Sequence, residues 1–242
     1  MLDFELSPEL QELQIRAQKV AAEGVADYGM HTDSWINGYS KEFSKRLAEE
    51  GWIGMTWPVE YGGGGQSNLA RIIMGEAMIS AGAPIAASWF ADRQMGPALF
   101  TYGTEDQQAE FLPGMLSGET TWCIGMSEPD AGSDLAGLKT SAVRDGDVFV
   151  VNGQKIWTSF AADADYCYLI CRTSSDGPPH KGVSELIVPM DLPGIEVRPI
   201  TDMTTNRHFC EVYFDDVRVP AENLVGVEAV SYTHLTLPTK QM

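Results

Sequence analysis

Along the first part of the chain, apolar positions recur at three- and four-residue spacing. Leu10, Leu13, Ala17, Val20 and Ala21 form one stripe, the mark of an amphipathic helix. Ser7 precedes the stripe as a cap, Pro8 takes the first helical position, and Glu9 sits near the positive end of the helix dipole. A second helix runs from Ser40 through Phe43, Leu47 and Ala48 to Gly51, which stops it. The stretch WIGMTWPVEYGGGGQ then breaks all periodicity, because Pro58 and the glycines from Gly62 to Gly65 mark a loop. A third helix is expected over Leu69 to Ile79. It is apolar nearly all round and should be buried between neighbours. A fourth covers part of Asp92 to Tyr102, and a fifth opens at Thr104, with Gln107 three residues later as its reciprocal cap.

Near Thr121 the period shortens to two. In SAVRDGDVFVVNGQKIWTS, the pairs Asp145-Gly146 and Asn152-Gly153 stand between β-branched runs, which predicts a three-strand meander with two tight turns. Further strands are expected at Tyr166 to Arg172, Ser184 to Val188, Ile195 to Pro199 and Phe209 to Phe214. Strands this short and closely spaced suggest a closed barrel or a sandwich. The fold class is therefore α+β, with a helical domain over 1–118 and an antiparallel β-barrel domain over 119–228. Residues 229–242 form a tail with no helical stripe.

Composition narrows the function classes. The 242 residues are 44% hydrophobic and 21% charged, an ordinary globular balance. Sixteen Lys and Arg against 34 Asp and Glu leave a formal net charge of −18. Such a surface repels phosphate backbones, so no nucleic-acid partner is expected, and a polyanionic small ligand would need a locally basic or backbone-lined pocket. No apolar run approaches the roughly 20 residues that span a bilayer, and no signal peptide is visible; a cytoplasmic protein is expected. Cys123, Cys167, Cys171 and Cys210 contain no C-x-x-C pair and read as packed, reduced thiols. The four histidines are scattered, and no metal site is expected. GSDLAGLKT is a broken phosphate-loop pattern, because Leu138 puts Lys139 out of register. No G-x-G-x-x-G, H-E-x-x-H or G-x-S-x-G occurs.

Two segments carry chemistry. IGMSEPDAGSDLAG, Ile124 to Gly137, is a strand entering a loop of Ser, Asp, Gly and Pro, whose backbone N–H groups can approach a polar heterocycle or phosphate. Taken alone it also reads as a plain surface connection. Trp157-Thr158-Ser159 sets an aromatic ring beside two hydroxyls, which can stack on a flat ring and bond its edge; alone, it is equally a half-buried strand end. The meander is expected to return this segment towards Ser127, making two walls of one flat pocket.

CIGMSEPDAGSDLAG closely resembles the signature of the acyl-CoA dehydrogenase family. VNGQKIWTS, GWIGMTWPVEYGGGG, YGTEDQQAEFLPGMLSGE and FCEVYFDDVRVPAENLVG resemble further family stretches in the family's order, from Gly51 to Gly226. The resemblance implies a helical domain, a middle β-barrel and a C-terminal four-helix domain, with FAD as cofactor. It implies that Ile124, Met126 and Ser127 line the flavin, Ser127 bonding its polar edge. Trp157 would pack against the flavin, followed by Thr158, and Ser159 would bond flavin N5, where the family commonly has Thr. Ser133 would touch the pantetheine or phosphate part of the acyl-CoA. Asp130 replaces a residue that is often small in the family. Ser88 to Gly96 is implied to line the acyl pocket, without individual contacts.

The implied reaction is α,β-dehydrogenation of an acyl-CoA thioester to the 2-enoyl-CoA in lipid metabolism. A carboxylate removes the α-proton, and a hydride passes to the flavin. In the family that base is a glutamate of the C-terminal domain, so no catalytic residue is assigned in this chain, and Glu128 reads as loop support. The chain is expected to be a truncated reading frame with foreign or frame-shifted sequence after about Glu228, weak in FAD retention and without turnover. Implied partners are an electron-transfer flavoprotein as acceptor and other subunits of a homo- or hetero-oligomer. The alternative is a non-catalytic subunit or acyl-CoA-binding module pairing with an active homologue. An acyl-CoA oxidase or flavin monooxygenase on the same fold is a third reading.

Overall fold

The computed structural model describes residues 5–230. The tail assigned to 229–242 therefore lies almost wholly outside the described residues. Contacts divide the chain into two compact units. One comprises the residues up to Pro97 together with Glu110–Thr120; the other comprises Ala98–Ala109 and the residues from Thr121 onward.

The first unit is helical: α1 (Pro8–Tyr28), α2 (Ser34–Asn37), α3 (Lys41–Glu49), α4 (Asn68–Ala81) and α5 (Ala86–Phe90). Local caps start these helices. Ser7 Oγ accepts from Leu10 N, Ser40 Oγ from Phe43 N and Ser67 Oγ from Ala70 N, each relieving a donor that the helix leaves unpaired. Ala17, Val20 and Ala21 of α1 pack with Phe43 and Leu47 of α3 and with Met74, Ala77 and Met78 of α4 in one core. The expectation that α4 is buried all round is corrected: Leu69, Ile72 and Ile79 are exposed, and only the opposite face meets the core.

After α5 the helical path continues through a π-helical turn at Ala91–Met95 into α6 (Gly96–Tyr102). Pro97 has no N–H for the ladder, and Gly96 N donates to Ala91 O, one residue further back than an α-helix requires. Gly96 is needed for space as well, since a Cβ there would stand 2.0 Å from the Trp57 ring. Trp57 Nε1 donates to Asp92 O at 2.8 Å, and Gly54 N donates to Asp92 Oδ1 at 2.7 Å. These bonds fix the glycine-rich loop. The helix α7 (Glu105–Leu116) opens with the expected reciprocal cap: Gln107 N donates to Thr104 Oγ1 and Thr104 N to Gln107 Oε1.

The second unit is built on β1 (Trp122–Gly125), β2 (Ser141–Asp145), β3 (Val148–Ser159), β4 (Tyr166–Arg172), β5 (Val183–Pro189), β6 (Ile195–Ile200), β7 (Phe209–Pro220) and β8 (Leu224–Val225). The strand order is β6-β7-β3-β2-β4-β5-β8, with β1 beside β4. The expected antiparallel β-barrel is corrected in two respects. The sheet is open, because β6 and the two-residue β8 each pair on one side only. It is also mixed, because β1 and the start of β2 run parallel to β4 and share its one edge. Phe149, Val151, Leu169, Leu186, Val188, Val212 and Val217 fill its core.

The expected three-strand meander is a two-strand hairpin. The turn is at Gly146-Asp147, while Asn152-Gly153 lies inside the single long β3. There Asp215-Asp216 of β7 oppose Asn152 alone, which is a β-bulge. The Asn152 amide closes it, donating to Asp216 Oδ1 and accepting from Asp216 N, both at 2.9 Å. Gly153 has φ +149, and a Cβ there would lie 2.6 Å from Thr140 Cα.

Candidate functional site

The site is built where β1 leaves the sheet. Gly125 packs so closely that a Cβ would meet Cys167 Sγ at 3.0 Å, and the chain turns through Met126 and Ser127 into the loop. A buried ion pair holds that turn. The Lys155 and Glu128 side chains are 0% and 5% exposed, and Lys155 Nζ donates to Glu128 Oε1 at 2.8 Å and to Met126 O at 3.0 Å. The other end of the loop is held by the same carboxylate. Lys139 N donates to Glu128 Oε2 at 2.6 Å and Thr140 N to Oε1 at 2.9 Å. Burial acts to raise the Glu128 pKa, but the bonds from Lys155 and Lys139 and the Lys155 charge outweigh it and hold the group ionised, below its ordinary value. Burial lowers the Lys155 pKa against the pull of Glu128. Every strong acceptor direction of Glu128 is thus committed to the loop, which is a structural use of the carboxylate.

β3 supplies the second wall. Its inward positions run Phe149, Val151, Lys155, and strict alternation would bury Trp157 next. A second bulge prevents this: Ile156 and Trp157 together oppose Glu211 between the pairs Lys155↔Val212 and Thr158↔Cys210. The phase flips. Trp157 is 56% exposed, with left-handed backbone at φ 61, and Thr158 and Ser159 are buried. A bulky residue at positive φ costs about 1–3 kcal/mol, so this backbone is held against its preference. The Trp157 ring meets Phe209 edge-on at 5.9 Å, and His208 packs on Phe209 at 4.1 Å.

The two stretches meet. Ile156 N donates to Ser127 O at 2.9 Å, so Met126-Ser127 and Trp157-Thr158-Ser159 lie side by side. Ile124 is half-buried in β1, one turn of the chain before them. Thr158 Oγ1 is buried and has no hydrogen-bond partner among the described residues. An orphaned hydroxyl beside an exposed, strained aromatic fits a flat ring with a polar edge. Ser133 is exposed further along the loop, and no hydrogen bond joins it to the other residues. A separate open cleft of about 560 Å3, lined by Ala161, Tyr166, Pro189, Met190 and Val197 among others, follows Phe160.

Sequence reasoning missed Lys155 as the partner of Glu128. The signal was present as parity, since a lysine in phase with Phe149 and Val151 must face the core. It also missed His208, whose Nδ1 is buried without a hydrogen bond and lies 3.8 Å from Asp202, and the buried Glu185, which accepts from the Tyr168 hydroxyl. Burial pushes the Glu185 carboxyl up to about 7, although the Tyr168 bond opposes this. All four cysteines are buried and free. Burial pushes the Cys171 thiol up to about 12.

Within the first unit, Ser88, Trp89, Asp92 and Arg93 line a narrow cleft with Leu47, Trp52, Met74 and Ile85. No described helix is long and apolar enough to cross a membrane.

Two family models match the chain: the N-terminal domain of acyl-CoA dehydrogenases over residues 7–119 and their middle domain over 123–217. Acyl-CoA dehydrogenase IpdE1 of Mycobacterium tuberculosis is 42% identical over 186 residues, covering 77% of this chain and 48% of that protein. The solved "Tcur3481-Tcur3483 steroid ACAD" superposes with a TM-score of 0.90 at 37% identity, covering 97% of this chain and 61% of that one. The ChsE4-ChsE5 complex from Mycobacterium tuberculosis gives 0.87 at 36% identity, covering 99% and 61%. The chain spans about half the length of the curated relatives it matches.

Proposed function

Because this chain belongs to the acyl-CoA dehydrogenase family, we propose that it forms the flavin-binding part of an FAD-dependent enzyme that oxidises an acyl-CoA thioester to the 2-enoyl-CoA. The observation that carries the reading is the bond between Ile156 N and Ser127 O, which sets the hydroxyl of one stretch beside the exposed Trp157 of the other. FAD, when bound, supplies the acceptor for the hydride that leaves the substrate. The chain's own residues bind and orient. Trp157 packs on the flavin ring, and its left-handed backbone presents that ring outward. Ile124 and Met126 line the same surface. The Ser127, Thr158 and Ser159 hydroxyls would hold the polar edge, Ser159 being the one expected to bond N5. Donors fixed in this way need no reorganisation when charge develops on the ring. Ser133 meets the pantetheine or phosphate part of the acyl-CoA.

Glu128 does not serve as base, since its oxygens are held by Lys139, Thr140 and Lys155. The chain therefore positions the ring and leaves proton abstraction to a residue outside this set. The division at 118/119 assigns the flavin to the 119–228 domain.

A second reading has one observation behind it. The Tcur3481-Tcur3483 and ChsE4-ChsE5 structures are both named as pairs of proteins, so this chain is a candidate partner for a homologous subunit, with an electron-transfer flavoprotein as acceptor.

The test is FAD binding followed by quenching of flavin fluorescence. Thr158→Val and Ser127→Ala are each expected to weaken binding about tenfold, the cost of one good hydrogen bond to a polar edge, with thermal midpoints little changed. Unchanged affinity in both variants contradicts the assignment.

A further inference from the structure

His208 is buried beside the surface assigned to the flavin, and that assignment gives it no role. Its side chain is only 10% exposed, and its Nδ1 is buried without a hydrogen-bond partner among the described residues. The imidazole stands in a row of aromatic rings, with Phe160 at 6.4 Å and Phe209 at 4.1 Å between centroids. Phe209 in turn meets the Trp157 ring edge-on at 5.9 Å. All four residues belong to the second unit. The backbone along the row is pinned. Phe160 N donates to His208 O at 2.7 Å, and Phe209 pairs with Ser159 on one side and Ile200 on the other. A change at His208 therefore passes through side chains, and Trp157, exposed and held at positive φ, is the last of them.

The loop before β7 supplies an opposing pull. Asp202 Oδ2 lies 3.8 Å from His208 Nδ1, too far for a hydrogen bond. Asp202 Oδ1 accepts from Thr204 N at 2.7 Å, Thr204 Oγ1 at 2.6 Å and Asn206 N at 3.1 Å. The bonds from Thr204 hold the carboxyl below its ordinary value, so it is a fixed anion. Phe160 at the end of β3 and Phe209 of β7 bring no charge to the imidazole. Asp202 is the charged group that acts on it, while Asp163 and Arg207 act on Cys210. Burial lowers the His208 pKa from 6.5 against the pull of Asp202, so the ring is neutral at pH 7. A neutral ring is at ease among apolar rings. An imidazolium there is buried and unpaired, and a charge-assisted bond to Asp202 is the gain open to it.

We propose that His208 is a positioning residue of the flavin site: the neutral imidazole props Phe209 against Trp157, and uptake of a proton, by drawing the ring to Asp202, removes the prop. This rests on the flavin reading above and adds a proton-linked control to it. The support is present while the ring is neutral and is lost as pH falls through the folded pKa, which lies below 6.5.

The test follows the full chain from about pH 8 to pH 5. Without FAD, the indole N–H resonance of Trp157, assigned as the one lost in Trp157→Phe, is expected to shift as His208 titrates. It should stay in place in His208→Phe, which keeps a flat ring beside Phe209. With FAD, fluorescence quenching should show wild-type affinity falling about threefold or more towards pH 5, because only the neutral fraction is competent. The His208→Phe profile should be flatter. Asp202→Asn keeps an acceptor for Thr204 and removes the anion, so the same fall should move to lower pH. A packing role alone would change affinity equally at every pH. Parallel profiles in wild type and His208→Phe overturn the inference and leave the flavin reading intact. No quenching at any pH overturns the flavin reading; the Trp157 resonance then decides the coupling by itself, a shift specific to wild type supporting it and a stationary resonance overturning it.

Discussion

Lys155 is a charge placed where a hydrocarbon would be easier to bury, and its stability depends on Glu128. Removing one partner leaves the other buried and uncompensated. Lys155→Met should therefore cost about 3–5 kcal/mol in urea unfolding, and the double replacement with Glu128→Leu should recover part of that loss. The pH behaviour has a definite sign. The folded pKa of Glu128 is depressed, so its contribution is present above the unfolded value and is lost as pH falls below about 4.5. Glu185 acts in the opposite direction. Its folded pKa is raised from 4.5 to about 7, so its contribution is complete below 4.5 and is lost as pH rises through 7. A gap of that size corresponds to about 3 kcal/mol at 1.36 kcal/mol per pH unit. Glu185→Gln should flatten the fall in unfolding free energy between pH 5 and pH 8; an unchanged slope would assign that fall to other groups. The caps at Ser7 and Thr104 were legible in the sequence because capping is decided within four residues. Glu185 was not, because what makes it unusual, burial against the Tyr168 hydroxyl, is supplied by a neighbouring strand.

At the scale of elements, β3 shows what periodicity reads and where it stops. Alternation correctly marks its core face, yet Asn152-Gly153, a strong turn signal, is a point in the strand opposite a bulge. The deciding groups are Asp216 and Thr140, which no local window contains. Gly153→Ala should cost about 2–3 kcal/mol, combining a Cβ clash with Thr140 and a strained backbone. Gly146→Ala, with φ 61 but nothing within 4 Å of the added Cβ, should cost only about 1–2 kcal/mol. Equal costs in thermal unfolding would mean that backbone angle alone decides both positions. The second bulge bears on the proposed flavin site, because it turns Trp157 outward and Thr158 inward. The sequence located this segment by residue type and by its resemblance to a family, whereas the phase change that exposes the ring comes from pairing with β7. The same limit explains α4. Its uniform hydrophobicity gives no direction, and the neighbours α1 and α3 choose the face it buries.

For the molecule as a whole, order of segments was more informative than any single motif. Five stretches in family order run across both units, and the family models cover the same ground. Closure of the sheet was not legible, since it depends on whether the outer strands β6 and β8 find a second partner. The acidic surface, with its −18 charge, makes a locally positive or backbone-lined site necessary for an anionic ligand. The loop from Met126 to Thr140 is where such a site is proposed. All of this bears on one claim, that the surface at Met126–Ser127 and Trp157–Ser159 holds the isoalloxazine ring. A crystal structure of the chain grown with FAD tests it most directly. The account predicts the ring stacked against Trp157, with its polar edge within about 3 Å of the Ser127 and Thr158 hydroxyls. A ring found instead in the cleft of Ala161, Tyr166 and Pro189, with Thr158 Oγ1 still unpartnered, would contradict it.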